Sequence, residues 1–190
     1  KIQSQGVPNS ARGEAFGQMG KLYHTYEFWE AADVCYRNAH TLMPREFRWI
    51  YLLGRLSEGQ GQPQKAVEYY QQASNIEPND LAALLRLAET QLALNRPDLA
   101  EPLFQEAISR DPYPSSAAAL VGLGKISLAH GNAEQAIDYF EAALAMQPQA
   151  NSIHYPLAMA HRQLGDVEKA REHLQKRGPR QPDFPDPIME

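Results

Sequence analysis

Two histidines, one cysteine and two tryptophans carry most of the reactive chemistry this sequence offers, and their spacing argues against using it. His154 and His161 stand seven residues apart, two turns of a helix, so they share a face but lie about 10 Å apart along its axis. Two nitrogens at that separation cannot share one metal ion, and the pair reads as packed or surface imidazoles. Cys35 is the single cysteine, which excludes an intramolecular disulfide and any multi-cysteine metal knuckle. It stands beside Tyr36 with no sequence-adjacent base, so an inert, buried or half-buried thiol is expected. Trp29 and Trp49 read as packing residues. No glycine-rich phosphate loop, metalloprotease helix motif, G-x-S-x-G elbow or calcium loop occurs. The expectation is a non-enzymatic protein with no catalytic residue, no metal site and no cofactor.

Composition narrows the partners. Of 190 residues, 43% are apolar and 22% charged, a globular balance. Eighteen Lys and Arg against 23 Asp and Glu give a net charge of -5, too acidic for a generic binder of nucleic-acid phosphates. No run of eighteen apolar residues without a charge occurs, and the first thirty residues lack a secretory layout, so no membrane insertion by this chain is expected. Lys1 is not an initiator methionine, and any targeting signal would precede it.

The elements that must position any functional residue follow from a repeat. Ala32, Ala66, Ala100, Ala136 and Ala170 step by 34, 34, 36 and 34 residues, and Ala39, Ala73, Ala107 and Ala143 keep the same steps. Four residues after each first alanine comes a bulky side chain: Tyr36, Tyr70, Phe104, Phe140 and Leu174. Twelve residues before it lies a small one: Gly20, Gly54, Ala88, Gly124 and Ala158. Prolines close the units at Pro44, Pro78, Pro112 and Pro148, disfavouring helix at the residue before. Small residues at two facing positions let helices approach closely, and the bulky residue one turn further along is expected to fill the space between units.

This pattern resembles the tetratricopeptide repeat (TPR) family, whose unit is two helices joined by a turn. The resemblance implies an all-α, right-handed α-solenoid of about five units and about ten helices, over 13–46, 47–80, 81–114, 117–150 and 151–177. Residues 1–12 form a lead-in, loose until Asn9 or Ser10 caps the first helix. Gly61, Gly131, Gly165 and Asn95 suit the turns within units, and Pro63 and Pro97 suit the start of a second helix. Glu27 departs from the glycine pattern, so its turn is expected to be tighter or differently shaped. Two extra residues at Tyr113-Pro114-Ser115-Ser116 predict a local break, and the polar fifth unit reads as the end of the stack. The proline-rich stretch 178–190 is an extended tail or linker.

The resemblance also implies which side chains project into a concave groove: Lys21, Arg55, Glu89, Lys125 and Met159, with Arg48, Tyr51, Arg86, Tyr155 and Arg162 one turn away. Cations outnumber acids there, which favours an anionic guest unless Glu58 and Glu89 neutralise them. Lys21, Arg48, Arg55, Arg86, Lys125 and Arg162 are thus expected to meet carboxylates of an extended partner while Tyr51 and Tyr155 pack on its apolar residues. Groove asparagines that some family members use to grip a terminal carboxylate are missing. The expected function is a protein-protein interaction module or assembly scaffold of bacterial type, working in cytoplasm or periplasm. The alternatives are a self-associating structural protein and a regulatory repeat domain of a longer one. The tail, with Asp183, Phe184, Asp186, Ile188 and Glu190 among prolines, is a candidate ligand for its own groove or a neighbour's.

Overall fold

The computed structural model describes residues 7–110 and 116–183. Ten helices are present among them: α1 (Asn9–Thr25), α2 (Trp29–Leu42), α3 (Phe47–Gly59), α4 (Pro63–Ile76), α5 (Leu81–Ala93), α6 (Pro97–Arg110), α7 (Ser116–Ala129), α8 (Ala133–Met146), α9 (His154–Gln163) and α10 (Val167–Lys176). One turn of 3-10 helix, Asn151–Ile153, leads into α9. The chain falls into two compact units, one reaching Ala83 and the other beginning at Leu84. In the first, α1 pairs with α2, α3 pairs with α4, and α2 packs on α3. In the second, α7 pairs with α8 and α9 with α10, while α6 packs on α7 and α8 on α9.

Small and bulky positions meet inside the hairpins. A Cβ on Gly20 would fall 2.6 Å from the Tyr36 ring, one on Gly54 2.5 Å from Tyr70, and one on Gly124 2.5 Å from Phe140. The bulky side chain therefore seats on the small residue of its own hairpin, where the sequence pattern placed it between units. Phe104 does bridge hairpins, with its ring closing on Gly122 of the next one. Trp49 likewise reaches back to Gly17, so a second set of glycines serves the joints between hairpins. Tyr36, Trp49, Tyr70, Phe104 and Phe140 are fully buried, and each such burial contributes about 1.5 to 3 kcal/mol.

All five turns within hairpins share one hydrogen-bond design. Gly61 N–H donates to Glu58 O and Gln62 N–H to Ser57 O; these are the paired bonds of a Schellman helix end, which needs a left-handed residue. Gly61, Gly131 and Gly165 supply it, as does Asn95 with φ 57°. Glu27 takes the same conformation, φ 60°, with Glu27 N–H on His24 O and Phe28 N–H on Tyr23 O. The first turn is thus the same as the others, contrary to expectation, because the two backbone bonds and the packing of the hairpin outweigh a steric cost of about 1 to 2 kcal/mol.

The lead-in also differs from expectation. Helix α1 begins at Asn9 with Pro8 as its cap residue, and no side chain caps it. Proline fixes φ near the value helix entry requires, and Pro8 O accepts from Arg12 N–H at 3.0 Å. Pro63 and Pro97 open α4 and α6 as the sequence suggests. Pro112 and the insertion at 113–115 lie outside the described residues, as does the tail from Phe184.

Candidate binding site

In the first unit Arg48 and Arg55 meet carboxylates of their own chain. Arg48 donates from Nε to Glu46 Oε1 at 2.9 Å and from Nη2 to Glu46 Oε2 at 3.1 Å, and reaches Glu14 at 3.4 Å. Its guanidinium also lies 4.9 Å from the centre of the Trp49 ring. The hydrogen-bonded guanidinium holds the Glu46 carboxyl below its ordinary value. Arg55 pairs with Glu58 at 3.5 Å, and Glu58 accepts from the Tyr70 hydroxyl at 2.7 Å. Burial first, then the Glu58 charge, push the Tyr70 phenol far up. Lys21 is half-buried on α1.

Tyr51 departs from its expected role. It has 0% exposed surface and its ring packs 5.5 Å from that of Tyr70. It turns toward the α3–α4 core because α3 is apolar on nearly every side, from Trp49 to Leu53. It therefore supports the site and offers no contact area of its own.

The second unit is different. Arg86 pairs with Glu89 at 3.2 Å, and both line a cavity of about 560 Å³ with Val121, Gly122 and Lys125. Lys125 also lines a second cavity, about 370 Å³, with Tyr155 and Met159. Arg86 and Lys125 are thereby brought together, as are Lys125 and Tyr155, on the face of α5, α7 and α9. Arg162 is exposed near the end of α9 and lines neither cavity. Among the described residues no ion pair engages Lys125 or Arg162.

Residues 178–183, which follow α10, reach this region. Gln181 lines both cavities and Pro182, which is buried, lines the larger. Gln147, only 5% exposed at the end of α8, holds Asp183 twice: Asp183 N–H donates to Gln147 Oε1 at 2.7 Å, and Gln147 Nε2 donates to Asp183 O at 2.8 Å. Arg180 N–H donates to Asn151 Oδ1 at 2.9 Å, and Ser152 N–H donates to Arg180 O at 3.0 Å. Gly178 N–H donates to Asn151 O at 3.1 Å, and a Cβ at Gly178 would strike the Asn151 side chain. The Asp183 carboxylate pairs with Arg180 of its own segment, 3.3 Å away, and not with a cation of α5, α7 or α9.

Sequence reasoning missed Gln147, Asn151 and Ser152. A signal was available: the residue before each closing proline is Met43, Glu77, Asp111 and Gln147, and only the amide both donates and accepts. The candidate reactive residues resolve as packing. Cys35 is buried, and burial pushes its thiol up. Trp29 stands edge-on to His24 at 5.6 Å. His154 and His161 both contact His173 of α10, the first with Nδ1 atoms 3.0 Å apart and the second stacked at 5.4 Å.

No helix among the described residues is long and apolar enough to cross a membrane. The tetratricopeptide repeat pattern matches residues 51–116, 85–149 and 121–182. Human tetratricopeptide repeat protein 7A is 27% identical over 147 residues, which are 77% of this chain and 17% of that protein. TPR repeat-containing protein YpiA of Bacillus subtilis is 25% identical over 155 residues, 80% of this chain and 36% of that one. The chain thus spans well under half the length of either relative. Among solved structures, MamA superposes with a TM-score of 0.74 at 19% identity, covering 87% of this chain and 89% of that one. PilF of Pseudomonas aeruginosa does so with a TM-score of 0.77 at 22% identity, covering 90% and 77%. Repeat spacing, hairpin geometry and these matches agree that the chain belongs to the tetratricopeptide repeat family, an all-α architecture that serves as a protein-interaction module.

Proposed function

We propose that this chain is a non-enzymatic scaffold that holds an extended, acidic segment of a partner protein against α5, α7 and α9 of its second unit. One observation carries the reading: Gln181 and Pro182 of the chain itself already line the cavities on that face, in a segment held at its main-chain groups by Asn151 and Gln147. A surface that accepts one such segment is formed before any partner arrives, so little binding energy goes into ordering it. Lys125 and Arg162 favour an acidic guest because no carboxylate among the described residues neutralises them, and Tyr155, exposed beside Lys125, offers a flat apolar surface. Lys21, Arg48, Arg55 and Arg86 contribute less, since at least three of these four already face a carboxylate of the chain.

The test is calorimetric titration of the full chain with an acidic, extended peptide, against Lys125→Glu/Arg162→Glu. Affinity should fall about tenfold or more, corresponding to about 1.4 kcal/mol, and the wild-type affinity should weaken as salt is raised. Equal affinity of wild type and double variant would overturn the reading.

A further inference from the structure

Arg180 and Asp183 are each held by both main-chain groups, one by Asn151 and Ser152, the other by Gln147. Their side chains pair with each other at 3.3 Å. Contacts that recur every third residue match the three-residue turn of a polyproline II strand; Arg177 leaves α10 at φ -63° and ψ 147°, the chain bends at Pro179, and the held residues follow that bend. Pro182, between the two held residues, is buried and lines the larger cavity. A proline there fixes φ near the required value before binding. The held residues must not be proline, because each donates its N–H.

We propose that the corner between α8 and α9, with Gln147, Asn151 and Ser152 as its polar contacts, is a docking site for an extended segment of another protein with the form non-proline, any residue, proline, non-proline. Residues Arg180–Asp183 occupy it in cis as a tethered competitor. The occupant's chemistry is argued from the segment seated there, whose recognition is through the main chain and one proline. The inference rests on the second unit being an interaction surface, but not on its charge. A short tether gives an effective concentration in the millimolar range, so an incoming segment must outcompete the tail.

Full-length wild type and full-length Asp183→Pro, which removes the N–H held by Gln147, are titrated with a fluorescent peptide carrying the sequence of residues 177–184. The Asp183→Pro chain should bind this peptide at least tenfold more tightly than wild type. Adding Gln147→Leu should abolish the gain. Two altered peptides leave the protein untouched: one with the Pro182→Ala change should bind several-fold more weakly, and one with Asp183→Pro should not bind. Equal affinity of wild type and Asp183→Pro, or indifference to both peptide changes, would overturn the proposal. Concentration-dependent dimers of wild type that dissociate in Asp183→Pro would reassign the corner to a second copy and so overturn the partner assignment. If this peptide fails while an acidic one still responds to Lys125→Glu/Arg162→Glu, only the corner is lost; the converse result removes only the charge reading.

Discussion

Arg55 and Lys125 occupy the same place in two units, each directly after the small residue of a first helix, yet they end in opposite electrostatic circumstances. Arg55 faces Glu58, which is itself anchored by the Tyr70 hydroxyl. Around Lys125 the counterparts of those two residues are Leu128 and Phe140, so Lys125 meets an apolar neighbour and stands over two cavities. One carboxylate and one hydroxyl, read at a fixed offset in the repeat, separate a cation that serves its own hairpin from one that faces outward. The fold is common to both places; the chemistry belongs to the side chains hung on it.

The largest expected effects break the comparison at the packing both units share. Phe140→Ala should cost about 3 to 5 kcal/mol in urea denaturation. Because stability in a repeat array passes between neighbours, amide exchange should rise over α7 to α10 and stay unchanged in α1 and α2. Next comes Glu58→Leu, which gives the first unit the residue found at Leu128. It leaves the buried Tyr70 hydroxyl without its acceptor and should destabilise the protein by about 1 to 3 kcal/mol in the same assay.

The reverse exchange sharpens the comparison. Leu128→Glu places a carboxylate one helical turn from Lys125 and should weaken binding of an acidic peptide about three- to tenfold, measured by titration; because Leu128 packs against the core of its unit, it should also cost about 1 kcal/mol of stability. A smaller effect is expected at the turns. Glu27→Gly should raise stability by about 1 kcal/mol in denaturant, since only glycine adopts that left-handed conformation without steric cost.

A pH effect should appear in both units. Burial holds His24 and His40 in the first, and His154 and His173 in the second, below the ordinary imidazole value. The unfolded chain then binds protons more readily than the folded one, so the contribution of these groups is intact above about pH 6.5 and is lost as pH falls through the lowered values. A denaturation series from pH 8 to pH 5 should show stability falling below about pH 6.5. No loss would mean that these four rings do not titrate as their burial implies.

Much of the fold could be read without coordinates because each device is local and repeated. The small-to-bulky pairing has a sequence sign in every unit, the 34-residue step in all but one interval, and the left-handed turn residue in every unit but the first, where Glu27 hides it. The site was less legible. The candidate cations lie on α1, α3, α5, α7 and α9, but helical spacing gave no way to tell that Tyr51 would be enclosed or that Arg48 would fold back on Glu46 two residues earlier.

Sequence alone determined the tandem all-α hairpins, four of their five turns and the absence of any recognised catalytic motif, since these depend on periodicity, residue size and backbone freedom within about forty residues. Only the tertiary structure decided which cations are neutralised and where residues 178–183 are held. Gln147 and Asp183 are 36 residues apart, and a hydrogen bond across that separation depends on the path of the backbone and the exclusion of water, neither of which has a period to read.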